Sequence, residues 1–155
     1  MKLELVTLGN KPPGWVKEGV EEYRRRMPRE CTLQLREIAI PRRTKNSTPG
    51  RNKTDEAQKI AGAKIAGARL VALDLTGKIW STEELADRLR GWMDNYAAVQ
   101  FVIGGPDGLD DGVVMAADEV WSLSRLTFPH FIVPVLLAEQ LYRAWTVING
   151  HPYHR

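Results

Sequence analysis

The sequence predicts a doubly wound α/β domain, with a mainly parallel sheet that carries helices on both faces. Segments with strand-like and helix-like patterns alternate in the order βαβαβαβαβα, which indicates five strands, or six with one extra edge strand. Strand segments such as "VALDL" and "FVIGG" have no polar face, so they suit a sheet covered on both sides. With no repeat and no long linker, we interpret residues 1–155 as a single domain.

The first half of the chain predicts three strands and two helices. Alternating residues indicate a first strand in "KLELVTLG", and apolar residues at helical spacing indicate a helix from Trp15 to about Met27. The second strand, "CTLQLREIAI", is expected to end at Pro41, and "RLVALDL" is a buried third strand. Between them, Arg42–Lys53 has five basic and no acidic residues, which predicts a mobile surface loop, and an alanine-rich helix follows with Thr54 as its N-cap.

The second half predicts the remaining elements. Ser81 and Glu84 form a capping box in "STEEL" and mark the start of the third helix. The fourth strand is "AVQFVIGG", a weak helix covers "LDDGVVMAADEV", and "VWSLS" is a short fifth strand. The last helix is predicted from around His130 to Ile148, and Gly150 terminates it.

Composition narrows the class of protein. A net charge of +3 permits a polyanionic partner without requiring one. Cys31 is the only cysteine, so no internal disulfide can form and a reducing compartment is favoured. The start, "MKLELVTLGN", is too short and polar for a signal-peptide core, and no apolar run is long enough to cross a bilayer. We therefore expect a soluble cytoplasmic protein.

The loop after the fourth strand, "GGPDGLDD", raises the question of phosphate binding. Gly104 and Gly108 are wrongly spaced for GxxxxGK[ST], and no GxGxxG opens a helix here. Asp107, Asp110 and Asp111 make the loop acidic, so it repels phosphate. The pattern favours a strand-to-helix turn over a ligand site, and any ligand bound here is expected to be neutral or cationic.

The last third of the chain suggests a ligand and a partner. Leu123–Phe128 is mostly apolar but irregular, which predicts a buried loop whose backbone groups need hydrogen-bond partners. The final helix is apolar around most of its circumference, so it either packs thoroughly inside the domain or, as we favour, forms a symmetric dimer. In the tail "HPYHR", His151 and His154 have no further ligand nearby, so a metal is not expected. The aromatic and basic tail suits RNA, although chain ends often fray.

Four motifs, in this order and spacing, resemble the SPOUT superfamily: "LDLTGK", "FVIGGPDGL", "WSLSRLTFPH" and "LLAEQLYRAW…HPYHR". More narrowly, the whole chain resembles the small bacterial enzymes of that superfamily that methylate N3 of a pseudouridine in 23S large-subunit rRNA. The resemblance implies a C-terminal trefoil knot, a homodimer, and methyl transfer from S-adenosylmethionine to a stem-loop of assembled ribosomes. A knot would be a rare exception to the usual rules of topology.

The resemblance also implies site residues. Eight residues would contact the methyl donor, at strand ends where doubly wound folds bind ligands: Leu73, Gly104, Leu123, Ser124, Arg125, Leu126, Thr127 and Phe128. By residue type, Arg143 either binds phosphate or pins its helix, and we favour RNA binding by Arg143 together with Tyr153, His154 and Arg155. The donor is a sulfonium cation without phosphate, so it is compatible with the acidic glycine loop.

The proton acceptor for N3 stays open. His130, Glu139 and His154 are candidates by residue type, although a histidine after a proline is more often structural. The family usually has an arginine where this chain has Pro134, which is tolerable in a helix only near its start. A non-catalytic RNA- or ribosome-binding protein is the alternative, and the Arg42–Lys53 segment and "YRRRMPR" would serve either function or simply face solvent. The failed glycine patterns disfavour a phosphate-binding oxidoreductase.

Overall fold

A computed structural model of the protein describes residues 1–9, 11–40 and 47–154, without the side chain of His154. Five strands and five α-helices alternate along the chain, and a short 3₁₀ helix, Pro152–His154, closes it. The strands are β1 Lys2–Leu8, β2 Thr32–Ile38, β3 Arg69–Ile79, β4 Ala98–Ile103 and β5 Glu119–Ser122. The helices are α1 Gly14–Arg26, α2 Pro49–Ala63, α3 Thr82–Asn95, α4 Asp111–Ala116 and α5 Val133–Ile148.

The strands form one parallel sheet in the order β2-β1-β4-β3-β5. Residues of β1 alternate between two cores, with Leu3 and Leu5 in the larger one beneath α1, α3 and α5. Val6 and Leu8 belong to the smaller core beneath α2 and α4. Both faces of the sheet are therefore covered, which confirms the predicted fold class and explains why its strands lack a polar face.

The predicted start of α2 is wrong. The helix begins at Pro49, and the N-cap is Thr48, whose Oγ1 accepts a hydrogen bond from Arg51 N at 3.3 Å. Thr54 lies inside the helix and donates its hydroxyl to Gly50 O at 3.1 Å. Proline at the first helical position has a suitable φ and needs no hydrogen bond there, so it starts the helix early.

The predicted surface loop Arg42–Lys53 is therefore partly helical, because its last five residues, 49–53, belong to α2. Ser47 and Thr48 precede the helix without regular structure, and the remainder of that prediction, residues 42–46, lies outside the described residues. Strand β2 ends at Ile38, and Ala39 and Ile40 are not part of a strand, so the predicted end at Pro41 is too late.

The predicted start of α3 is confirmed, whereas α5 starts later than predicted. At the start of α3, Ser81 Oγ accepts from Glu84 N at 3.1 Å and Ser81 N donates to Glu84 Oε2 at 2.7 Å, which confirms the capping box. Helix α5 begins at Val133 rather than His130, and Pro134 lies in its first turn, where a missing N–H costs nothing. No helix among the described residues is long and apolar enough to span a bilayer.

Strand β3 is longer than predicted and contains a bulge. Leu73 and Lys78 both pair with Trp121 of β5, so residues 74–77 leave the ladder between them. Asp74 Oδ1 accepts from Thr76 N at 2.9 Å and from Thr76 Oγ1 at 2.6 Å, which closes the bulge. Gly77 is needed because a Cβ there would lie 2.6 Å from Trp121 N. The bulge projects at the end of the sheet where β4 and β5 also finish.

Candidate cofactor cavity and C-terminal cluster

A cavity of about 690 Å³ opens at the carboxyl ends of β3, β4 and β5. Its walls come from three segments: the β3 bulge with Leu73, the glycine loop after β4, and the irregular segment after β5. Lys53 of α2 and Val133 of α5 complete the lining. This is the edge of a doubly wound sheet at which ligands are expected to bind.

The structure brings seven of the eight residues implied by the resemblance to this cavity. They are Leu73, Gly104, Leu123, Ser124, Leu126, Thr127 and Phe128. Arg125 belongs to the same segment but does not line the cavity, and it is exposed to solvent. Contact between these residues and a methyl donor stays a prediction, which the shared location supports.

The glycine loop is both a tight turn and a wall of the cavity. Gly108 N donates to Gly105 O at 3.0 Å, and Gly108 has a φ of 80°, which favours glycine. A Cβ on Gly104 would lie 2.7 Å from Gly108 C and 2.8 Å from Leu109 N. Only a residue without a side chain therefore allows the turn to fold back against the end of β4. The same backbone therefore forms the predicted turn and lines the cavity.

The segment after β5 is irregular, as predicted, but it is not buried. Ser122 Oγ donates to Ser124 O at 2.9 Å, and Leu126 N donates to Ser124 Oγ at 3.0 Å. Leu126 is 70% exposed, because the apolar side chains of the segment line an open cavity instead of a core. Within the described residues, the backbone N–H groups of Thr127 and Phe128 make no hydrogen bond, so they are available to a ligand.

The charged groups around the cavity are mostly acidic. Asp74, Asp107 and Asp111 line it, and Lys53 is the opposing cation there among the described residues. Three carboxylates against one ammonium favour a cation or a zwitterion over a phosphate. No group of three or more metal-ligating side chains occurs in the part of the chain that the structure describes.

The three candidate proton acceptors are in different places. His130 lines the cavity, and its ring contacts that of Phe131 at a centroid distance of 4.0 Å. Glu139 lies on α5 and does not line the cavity of its own chain. The side chain of His154 is outside the described part of the chain, as is the whole of Arg155, so their predicted roles are not placed.

A second group of polar and aromatic residues surrounds the end of α5, and we term it the C-terminal cluster: Tyr23, Glu139, Tyr142, Arg143 and Tyr153. It contains two of the predicted RNA-binding residues, Arg143 and Tyr153. Arg143 lies ten residues beyond Val133, or about 15 Å along the helix axis. The cluster is therefore separate from the cavity within one chain.

Charge and burial set the ionisation of the cluster. Hydrogen bonding to Glu139 raises the pKa of the Arg143 guanidinium, so this side chain stays charged. Burial raises the pKa of the Tyr153 phenol well above its ordinary value, and hydrogen bonding with Tyr23 and the Glu139 charge act in the same direction. Tyr153 is therefore a hydrogen-bond donor throughout the physiological pH range.

Sequence patterns missed the part of the cavity wall that the bulge provides. Asp74, Leu75 and Thr76 line the cavity, although the third strand was expected to end at Leu75. The available signal was "DLTG", in which an aspartate and a glycine flank a threonine as in a turn. Lys53 was also missed, because it was expected in a surface loop.

Comparisons with known proteins agree over the full chain. A family model described as "Predicted SPOUT methyltransferase" matches residues 1–154. The chain is 53% identical to "Ribosomal RNA large subunit methyltransferase H" of Methylococcus capsulatus over 155 residues, which cover 100% of both chains. It is 49% identical to the protein of that name from Hahella chejuensis, over 100% of this chain and 99% of the relative.

A solved structure also shares the fold. It is that of a probable methylase family protein from Haemophilus influenzae, with a TM-score of 0.58 and 11% sequence identity. The match covers 99% of this chain and 70% of the other. At that identity the likeness shows the α/β architecture alone.

Proposed function

The chain belongs to the SPOUT methyltransferase family, and we propose that it methylates N3 of a pseudouridine in 23S large-subunit rRNA with S-adenosylmethionine as donor. The observation that carries this proposal is the 53% identity, over the entire chain, to a relative named as a large-subunit rRNA methyltransferase. The cavity at the strand ends supports it from an independent direction.

The residues around the cavity fit S-adenosylmethionine. The Gly104–Gly108 turn presents backbone where a side chain would not fit, and the N–H groups of Thr127 and Phe128 are available to a polar ligand. Asp107 is one of the carboxylates that suit a sulfonium, and Leu73 belongs to the apolar wall. These features would hold the nucleoside and the charged end of the donor without a phosphate site.

When bound, S-adenosylmethionine supplies an electrophilic methyl group on sulfur, so the chain needs chiefly to align N3 with that methyl carbon. Methyl transfer to N3 would also release the N3 proton, so a side chain of the cavity would have to accept it. His130 is the candidate acceptor that lines the cavity.

We expect the enzyme to act as a cytoplasmic homodimer on assembled ribosomes, with residues 1–155 forming one domain that contains a trefoil knot. The support for a dimer is a half-buried stripe at helical spacing along α5 and its N-cap: Ile132, Leu136, Gln140 and Val147. Phe131 at 36% exposure and Trp15 at 52% add apolar surface. A second copy could also bring Arg143 and Tyr153 towards a cavity that they do not reach within one chain.

Calorimetry with S-adenosylmethionine is the first test, and we expect saturable binding with a 1:1 ratio per chain. No detectable binding would contradict the methyltransferase proposal. The second test is methyl transfer to ribosomes that lack the modification, detected by mass spectrometry of the rRNA nucleosides. If the donor binds but no methylated pseudouridine appears, a non-catalytic ribosome-binding protein is the remaining interpretation.

Pro134 is the observation that gives this alternative some weight. It is buried in the first turn of α5 and has no charge to offer where the family usually has an arginine. If wild type transfers no methyl group, a variant Pro134→Arg that folds and gains methyl transfer would show that the missing arginine is the reason.

A further inference from the structure

The carboxylate of Glu139 is the common hydrogen-bond acceptor of Arg143 and Tyr153 in the C-terminal cluster. Its Oε1 accepts hydrogen bonds from Arg143 Nε at 2.9 Å, from Arg143 Nη2 at 2.5 Å and from the Tyr153 hydroxyl at 3.3 Å. Its Oε2 accepts from Gln140 Nε2 at 2.6 Å. The side chain of Glu139 is 16% exposed and that of Arg143 is 32% exposed, so water screens the pair only partly. One carboxylate thus holds two of the predicted RNA-binding side chains.

This arrangement orients the Arg143 guanidinium while leaving part of it available. Arginine has five N–H groups, and Glu139 uses one on Nε and one on Nη2. Three N–H groups therefore remain for a second acceptor, a number that suits a phosphate gripped by two parallel hydrogen bonds. The guanidinium also lies 5.3 Å from the Tyr153 ring centroid, which limits its rotation further.

The same carboxylate helps to fix the end of the chain. After α5, Gly150 has a φ of 63° and turns the chain back, and His151 N donates to Thr146 O at 2.9 Å. The Tyr153 ring then packs on Tyr142 at a centroid distance of 4.8 Å. The hydrogen bond from Tyr153 to Glu139 spans 14 residues and adds a directional contact to this packing. Without Glu139, the final segment would keep ring packing but lose that contact.

We propose that Glu139 is a positioning residue for rRNA recognition, which acts by presenting Arg143 and Tyr153 to the RNA in a fixed arrangement. This inference rests on the proposed rRNA methyltransferase function. It assigns Glu139 a role different from that of a proton acceptor, because its oxygens are occupied by donors and it lies outside the cavity of its own chain. Glu139 is then needed for ribosome affinity and not for binding of the methyl donor.

The test measures ribosome binding by co-sedimentation, separately from methylation. Glu139→Ala is expected to weaken ribosome affinity about tenfold, the effect of losing one charge-assisted contact, while its affinity for S-adenosylmethionine stays within about twofold. In an Arg143→Ala background, Glu139→Ala should weaken ribosome affinity much less, because the two residues act as a unit. Equal effects in both backgrounds would overturn the proposal.

A readout that does not depend on function is hydrogen exchange of the peptide covering residues 149–155. Glu139→Ala should speed exchange there without changing the peptides of β4, and unchanged exchange would also overturn the proposal. Asp87→Ala is the matched control, since Asp87 forms an exposed ion pair with Arg90 on α3 at 2.9 Å. If Glu139→Ala fails to fold, Glu139→Gln replaces it. Ribosome affinity and hydrogen exchange should then change in the same directions but by smaller amounts.

The outcomes separate this proposal from the proposed function. A wild-type chain that binds ribosomes without methylating them contradicts the enzymatic function alone, and the effect of Glu139→Ala on binding still decides the role of Glu139. A wild-type chain that binds neither ribosomes nor their RNA contradicts both proposals.

Discussion

Gly104 is the residue at which the identity of a side chain most directly decides the shape of the cavity. We predict that Gly104→Ala weakens binding of S-adenosylmethionine at least about tenfold, because the added Cβ meets backbone atoms that cannot move without opening the turn. Those atoms are Gly108 C at 2.7 Å and Leu109 N at 2.8 Å. Calorimetry at constant temperature and salt measures the change in dissociation constant.

The control for this substitution is Gly91→Ala on α3, where a new Cβ would meet no atom within 4 Å. It should leave the affinity for the methyl donor unchanged and stabilise the helix by up to about 1 kcal/mol. Equal affinity in both variants would show that the turn is not part of the donor site.

Cys31 provides a residue-scale prediction about reactivity. It is fully buried, and burial raises the pKa of its thiol to about 11. The reactive thiolate is therefore scarce at pH 8, and access is blocked as well. We predict that iodoacetamide does not modify the native protein within an hour at pH 8 but modifies it completely in guanidinium chloride, as measured by intact mass. Rapid modification of the native protein would contradict this burial.

At the scale of the elements, hydrogen bonds between polar side chains join three neighbouring strands, and we term this row of side chains the polar ladder. Glu4 of β1 lies in register between Gln34 of β2 and Gln100 of β4. Glu4 Oε1 accepts from Gln34 Nε2 at 2.6 Å, and Oε2 accepts from Gln100 Nε2 at 2.7 Å. Gln100 also donates to Ala63 O at 3.0 Å and accepts from Ile65 N at 2.8 Å, so the ladder fastens the end of α2 to the sheet.

Protonation of Glu4 should weaken this ladder. Burial opposes its ionisation, but hydrogen bonds from Gln100, Lys2 and Gln34 outweigh burial and hold the pKa of Glu4 below its ordinary value of 4.5. A lowered pKa in the folded state adds stability above the ordinary pKa, and that stability is lost as the pH falls through the folded-state pKa.

We predict that Glu4→Gln lowers the free energy of unfolding at pH 7 by about 1–3 kcal/mol, because the buried amides of its neighbours lose a charged acceptor. Below pH 4 the difference from wild type should shrink. Urea denaturation at both pH values measures it. Glu18→Gln, at an exposed site on α1, is the control and should change neither value. A difference that is the same at both pH values would contradict the role of the carboxylate charge.

At the scale of the whole molecule, the surface of α5 decides whether the protein is a dimer. Leu136 lies on the half-buried stripe of that helix. We predict that Leu136→Glu converts the proposed dimer to a monomer, since a buried, unpaired carboxylate in a dimer interface costs several kcal/mol. Sedimentation velocity over a range of concentrations measures the change.

Met115→Glu is the matched control, because Met115 is 86% exposed on α4, which covers the other face of the sheet. This variant should sediment like the wild type. A wild-type chain that is already monomeric at micromolar concentration would contradict the dimer outright.

Local patterns were enough for the order of the elements, but the bounds of α2, β3 and α5 differ from the predicted ones. The capping box at Ser81 and Glu84 depends only on residues three apart, so it could be read without tertiary context. The start of α2 could not, because Thr48 and Thr54 are both acceptable caps and the proline between them decided the outcome. Family motifs, which extend over the whole chain, identified the SPOUT methyltransferase family, and the comparisons confirm it.

By itself, then, the sequence determined the α/β class through its periodicity, and its resemblance to the SPOUT family implied the seven residues that share one cavity. Only the tertiary structure decided which residues from distant parts of the chain meet around the cavity. The β3 bulge joined the cavity wall because Trp121 of β5 pairs with both Leu73 and Lys78. Tyr153 donates a hydrogen bond to Glu139, 14 residues earlier in the sequence, because the chain turns back after α5. Contacts between residues far apart in sequence leave no local pattern, so they emerge only when the chain has folded.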